Sequence, residues 1–337
     1  YVRYSNWKRV SIVPSTTSYP GPNGTTRTYA QEMTNFANWH AWYRTRMQMT
    51  KTAVGQAFAD IRGTPNTSDP LDKNYFHARV GFSTISDKGA TDSNTFLAIN
   101  NFDTTQKNTW FTRLYKGDPT VSTPLRGALA KAGRIYAGKL GADPIQYSCQ
   151  RNFTILSTDG YWNTNDETST YGPTKEDGKT AVGDQDGVAT ATRPSFDALK
   201  KSSTLADVAY YYYHTDLRTD MPNNVPPAGT KLEEDDVATH QHMTTFTIGL
   251  GVDGNLTYQD GYKTATSGAY YDIKQGTKNW PDPLDASDED RIDDLWHAAV
   301  NGRGTYFSAR NPEALVNGLA SALGAMEASS GFGAAAA

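Results

Sequence analysis

At 337 residues, with 37% hydrophobic residues spread along its length, the chain can bury a substantial core in one large domain or two ordinary ones. A formal net charge of -4 without any Lys/Arg block argues against a nucleic-acid footprint, and no apolar run reaches the length of a membrane span. Cys149 is the single cysteine, which excludes an internal disulfide and thiolate metal clusters; 12% aromatic against 20% charged residues suits a secreted or surface protein with long polar loops.

In chain order, a strand is expected over residues 8–13, followed by the breaker-rich loop Ser18-Tyr-Pro-Gly-Pro-Asn-Gly24. Thr34 or Asn35 is positioned to cap one long helix whose buried face would carry Phe36, Trp39, Tyr43, Met47, Val54, Phe58 and Ile61, at spacings of three, four or seven. Strands over residues 75–85 and 94–100 form a loose hairpin, and a short helix covers residues 105–114. A second helix starts at Thr123, with Pro124 as its first residue. The apolar run Phe153-Thr-Ile-Leu156 reads as a buried strand ending at Asp159-Gly160. A Gly/Thr/Asp-rich insertion follows, then a helix over 196–218, a strand over 243–250, a loop over 251–287, a capped helix over 287–300, a strand over 305–308 and a last helix over 312–326. Strands alternating with helices give an α/β, doubly wound, mostly parallel sheet with long loop insertions. The expected organisation is a single domain over residues 1–327 with insertions at about 1–34, 161–195, 219–240 and 251–287, and the start of a linker at 328–337.

Ligands of open α/β sheets collect at the carboxyl ends of strands, where several loops converge. Asp159 ends one strand, Thr123 opens the helix before it, and the Gly251-Val-Asp-Gly254 turn ends the next strand. A hydroxyl and a carboxylate on adjacent loops supply part of the oxygen shell that magnesium or calcium takes. Each has a plainer reading as well: helix capping for Thr123, turn formation for Asp159 and Asp253. Asp184, Asp186 and the acidic run at 285–290 read as solvated loops, because neither has an alternating ligand loop closed by a distal Glu. His240, His242 and His297 lie in no catalytic arrangement, and the four tyrosines Tyr210–Tyr213 cannot all face inward on a helix. No dinucleotide fingerprint, P-loop or nucleophile elbow is present, so the sequence gives no support to an enzyme.

Thr123-Pro-Leu-Arg-Gly-Ala-Leu129, followed by a strand ending Ser157-Thr-Asp-Gly160, resembles part of the von Willebrand factor A domain. Further strings narrow the likeness: Glu32-Met-Thr-Asn-Phe-Ala-Asn-Trp39, Tyr43-Arg-Thr-Arg46, Thr158-Asp-Gly-Tyr-Trp-Asn163, Thr204-Leu-Ala-Asp-Val-Ala209, Tyr213-His-Thr-Asp-Leu-Arg-Thr-Asp220, Tyr271-Asp-Ile-Lys-Gln-Gly-Thr-Lys-Asn-Trp280 and Leu295-Trp-His-Ala-Ala-Val-Asn-Gly-Arg-Gly304. In this order they are similar to the N-terminal region of the PilY/PilC family, the type IV pilus tip-associated adhesins and assembly factors of Gram-negative bacteria. The resemblance implies an A-like domain outside the cell at a pilus tip, secreted through the periplasm. Its partners would be minor pilins, a host-cell or surface ligand, and other parts of the same protein. It further implies that Thr123 and Asp159 belong to a metal-ion-dependent adhesion site for magnesium or calcium. The Asp-x-Ser-x-Ser strand that supplies the principal ligands of such a site is not in this sequence; Pro14-Ser-Thr-Thr-Ser18 is the nearest string, and it lacks the Asp. That strand, and the family's C-terminal propeller with its calcium loop, are expected outside these residues, which read as a processed or excised piece.

Overall fold

The computed structural model describes residues 10–331, apart from 67, 70, 71, 73, 74, 89, 90, 92, 93, 119–121 and 286. The chain forms two compact units, residues 1–52 and 53–337.

In the first unit, the described part of the expected opening strand, residues 10–13, is irregular. The breaker-rich loop instead folds into a minimal antiparallel pair, β1 (Tyr19–Pro20) and β2 (Thr26–Arg27). Helix α1 (Tyr29–Trp42) begins at Thr28, not at Thr34 or Asn35. The Thr28 hydroxyl accepts from the Gln31 amide at 3.3 Å, and the Gln31 side chain accepts from the Thr28 amide at 2.8 Å. Thr45 and Gln48 repeat this reciprocal pair, at 3.1 Å in both directions, and start α2 (Arg46–Ala59). Each pair satisfies amide donors that a helix start leaves without carbonyl partners. Two boxes therefore give two helices where apolar spacing alone suggested one. The expected buried face also fails on α1, where no side chain is buried and Phe36 and Trp39 are 44% and 48% exposed.

After the latter part of α2, the second unit continues with the antiparallel pair β3 (Arg79–Ser83) and β4 (Phe96–Asn101), broken by a bulge between Val80 and Phe82. Asp103 caps α3 (Thr104–Lys116), whose Trp110 and Leu114 pack with Phe58, Ile61 and Phe102. Then come α4 (Leu125–Tyr136), β5 (Phe153–Thr158), α5 (Leu205–His214), β6 (Thr244–Leu250), α6 (Ala269–Gln275), α7 (Asp288–Asn301), β7 (Arg303–Ala309) and α8 (Pro312–Gly331). Helix α5 is shorter than its apolar pattern suggested, because the capping box of Thr204 and Asp207 fixes its start. Of its four tyrosines, Tyr211, Tyr212 and Tyr213 are buried and Tyr210 is half-buried, so the four do not all face inward. Helix α6 occupies part of a segment expected as loop.

Strands β5, β6 and β7 form one parallel sheet in that order, with Thr158 opposite Gly249 and Leu250 opposite Ala309, so their carboxyl ends align. Alternation along the strands sends Leu156 and Tyr306 to one face, where they meet Leu205, Leu295 and Trp296 of α5 and α7. Phe153, Ile155, Phe246 and Phe307 meet Ala322 and Met326 of α8 on the other. A sheet covered by helices on both faces is the layering of a doubly wound α/β unit. Among the described residues the parallel part is three strands, with the remaining strands in two separate antiparallel pairs; the expected larger, mostly parallel sheet is narrower than foreseen. Helices α4 and α5 cross closely at Gly133: a β-carbon there would lie 2.2 Å from the fully buried Tyr212 ring, which has no room to yield.

Candidate functional site

The carboxyl edge of the parallel sheet carries the residues singled out above. Asp159 sits exposed at the tip of β5, in a turn held by Thr158, whose hydroxyl bonds both to the Gly160 carbonyl at 3.0 Å and from the Gly160 amide at 3.3 Å. Thr123 lies half-buried two residues before α4 and does not cap it; the cap position is Pro124, without a side-chain bond. The capping account of Thr123 therefore falls, and proline precedes the helix instead of opening it. The Thr123 backbone is instead tied to Asn163, donating to its side chain at 3.4 Å and accepting from its amide at 3.0 Å. These bonds join the approach to α4 to the loop that Asp159 begins. Asp253, at the tip of β6, is held in an exposed pair with Arg310 at 2.8 Å, an arrangement worth little in water.

Behind this edge the loop is anchored firmly. Glu167 pairs with Arg126 in a nearly buried bridge and accepts from the Gly127 amide at 3.2 Å, so it places a carboxylate at the α4 N-terminus, where the helix dipole favours one. The Arg126 guanidinium stacks over Trp162, 4.3 Å from the ring centre. Trp162 donates through its indole to Asp294 at 2.8 Å, and Asp294 also accepts from the Leu205 and Ala206 amides at 2.9 and 3.0 Å. One buried carboxylate thereby joins the β5 loop, the start of α5 and the middle of α7. Burial raises its carboxyl to about 6.

For a metal implied at Thr123 and Asp159, one exposed carboxylate and one half-buried hydroxyl are a fraction of the six oxygens a magnesium ion takes. By themselves these residues do not make a complete site.

A second cluster lies where the insertion at 161–195 meets the start of α5. Asp184, Asp186 and Asp207 each bring an oxygen within 4.8 Å of the others. Asp186 is 1% exposed, and Asp184 is half-buried, so the reading of this stretch as a solvated loop is corrected. Asp290, in the other acidic run, is buried as well and accepts from the Asn255 side chain at 2.7 Å. Burial, with neighbouring carboxylates, raises the Asp186 carboxyl well above its usual range and raises that of Asp207 too. His297 approaches Asp186 at 3.4 Å and bonds to the Ser195 carbonyl at 2.7 Å; burial holds the ring near about 3, so it stands beside Asp186 as a neutral hydrogen-bonding group, not as a cation. Asp207 and Asn301 were not singled out from sequence. The Thr204-x-x-Asp207 spacing was a capping signal that would have placed Asp207 at a helix start.

No family model matches the chain and no solved structure matches it. Curated relatives do. The chain is 33% identical over 329 residues to the type IV pilus biogenesis factor PilY1 of Pseudomonas aeruginosa strain PAO1, a match covering 86% of this chain and 26% of the relative. The protein of the same name from strain PAK is 34% identical, covering 85% of this chain and 25% of that protein, and that from strain UCBPP-PA14 is 31% identical, covering 84% and 24%. The chain is thus a homologue of the type IV pilus biogenesis factors named PilY1, of which it spans about a quarter of the length.

Proposed function

We propose that this chain is the A-like domain of a type IV pilus biogenesis factor, acting outside the cell at the pilus tip in pilus assembly and in attachment to a host-cell or surface ligand. The observation that carries the reading is homology over about 85% of the chain to proteins named for pilus biogenesis. The fold supports it. A parallel sheet covered on both faces ends in loops carrying Asp159 and Asp253, and such loops are the usual place for a binding surface. Thr123 and Asp159 would contribute two ligands to a metal-dependent contact, completed by an Asp-x-Ser-x-Ser strand from elsewhere in the full-length protein. Among the described residues β5 pairs only with β6, so its other edge is where an added strand would dock. Minor pilins are the expected assembly partners.

The test uses the full-length protein in the bacterium that carries it. Deleting this region should abolish surface pili, whereas Thr123→Ala with Asp159→Ala should lower attachment and leave pilus number unchanged. Loss of attachment only in proportion to loss of pili would leave a priming role at the tip and remove the ligand-binding one. Normal pili and normal attachment in the deletion would sink both.

A further inference from the structure

The buried cluster beneath the 161–195 insertion has a feature that three carboxylates alone do not explain. The Oδ1 atom of Asp186 is fully buried and has no hydrogen-bond partner, and the Oδ1 atom of Asn301, whose amide nitrogen contacts Asp186, is likewise buried and unpartnered. The two side chains touch, with Asn301 donating to the other Asp186 oxygen at 2.6 Å. A buried acceptor oxygen without a partner calls for something electropositive to meet it.

The surrounding elements make that demand stronger. Asn301 is the last residue of α7, so the negative pole of a 14-residue helix is directed at the buried Asp186 carboxylate. The start of α5, which would favour an anion, is already matched by Asp207 and Asp294, which accept from Thr204, Leu205 and Ala206. Burial weighs most on the Asp186 carboxyl, followed by the carboxylates Asp207 and Asp197, and its imidazole neighbour is neutral. Meanwhile the Asp184 loop is built in place. Its Gln185 amide donates to Asp207 at 2.6 Å, its Gly187 amide donates to Asp184 at 2.7 Å, and the Asp197 amide donates to the Asp186 carbonyl at 3.0 Å.

We propose that Asp184, Asp186 and Asp207, with the Asn301 side-chain oxygen, bind one hard divalent cation, calcium in preference to magnesium, which staples the 161–195 insertion to α5 and α7. All-oxygen donors suit a hard cation. Calcium, with bonds of about 2.3–2.6 Å and six to eight flexible ligands, spans oxygens up to about 5 Å apart, while magnesium holds its ligands closer and keeps more water. The carboxylate oxygens all lie within 4.8 Å of one another, close enough to share one ion. A cage built from three carboxylates and an amide oxygen is of the kind calcium takes, whereas magnesium is more often held by one or two carboxylates and water. This cation is distinct from any held at Thr123 and Asp159.

The experiment strips the 337-residue chain with a chelator and adds calcium or magnesium at neutral pH, reading heat of binding and thermal midpoint. The expected result is one saturable calcium per chain, a raised midpoint, and weaker binding of magnesium. Asp186→Asn should abolish binding. Because Asp186 is buried and its variant is at risk of misfolding, Asp184→Asn is the second arm. It lies half-exposed on the loop, keeps an acceptor for the Gly187 amide, and should weaken calcium at least about tenfold in a folded chain. Asp159→Ala should leave this binding intact, which separates the proposal from the adhesion site. Absence of binding at millimolar calcium by the folded, stripped chain overturns the proposal and leaves a shared proton to satisfy Asp186. So does unchanged affinity in folded Asp184→Asn.

Discussion

Helices α1 and α7 are each 14 residues long, and both carry aromatic and aliphatic residues at helical spacing, yet they have opposite fates. In α7, eleven residues from Asp290 to Asn301 are buried, with Trp296 at the centre of a ring cluster that includes Tyr258, Tyr262, Tyr270, Trp280 and Tyr306. In α1 no residue is buried, and Phe36, Trp39 and Trp42 stand 44–51% exposed. Periodicity shows that a helix has an apolar stripe; what covers the stripe depends on the layers available. Helix α7 follows a parallel strand and lies on the sheet. Helix α1 precedes every strand of that sheet and starts from its own Thr28 capping box.

The largest break in that contrast is at Trp296. Trp296→Ala opens a cavity among five aromatic neighbours that are themselves held in place, so collapse is limited. A loss of about 3–5 kcal/mol is expected by denaturant unfolding. A loss under about 1 kcal/mol would mean that the ring cluster repacks, and that α7 is less central than its burial implies.

A second prediction uses the charge buried on α7. Asp293 accepts from the Asn255 and Leu256 amides, and burial pushes its carboxyl up to about 7. A carboxyl near about 4 in the unfolded chain therefore holds more proton in the folded state between those values. Its contribution to stability is complete below about pH 4 and is lost as pH rises through about 7. In Asp293→Asn that titration is gone. The wild-type thermal midpoint minus that of the variant should decline from about pH 4 to about pH 8. A difference that stays flat or climbs across the window contradicts the raised carboxyl.

These tests bear on what could be read in advance. The strand before Asp159 was legible because Phe153-Thr-Ile-Leu156 is short, apolar and stopped by Asp-Gly; β6 and β7 were placed as well, β7 two residues short at its start and one at its end. Helix starts were harder. Thr45 and Gln48 are a local hydrogen-bonding device inside a continuing apolar pattern, and the pattern concealed the break. Thr123 and Asp159 were found as neighbours of one sheet edge because strand ends gather loops, a topological rule that needs no side-chain detail. The buried acids were not found. Asp186, Asp207 and Asn301 meet only because a loop, a helix start and a helix end converge, and a composition of Asp and Gly looks solvated until that convergence is known. Burial of α1 failed for the complementary reason: a stripe says nothing of whether a partner surface exists.

The smallest effect is the sharpest test of the comparison. Trp39 is as bulky as Trp296 but 48% exposed, with Phe36 as a ring neighbour 5.8 Å away. Trp39→Ala leaves no enclosed cavity, and α1 retains its Thr28–Gln31 box, so the change should cost less than about 0.5 kcal/mol and leave far-ultraviolet circular dichroism unchanged. The first unit is small, so the readout should follow residues 1–52 directly, by amide exchange of α1 in variant and parent. Equal protection in both places the stripe in water. If α1 instead loses protection as Trp296→Ala would make α7 lose it, then the stripe is covered, and the difference between the two helices lies in what covers them and not in whether they are covered.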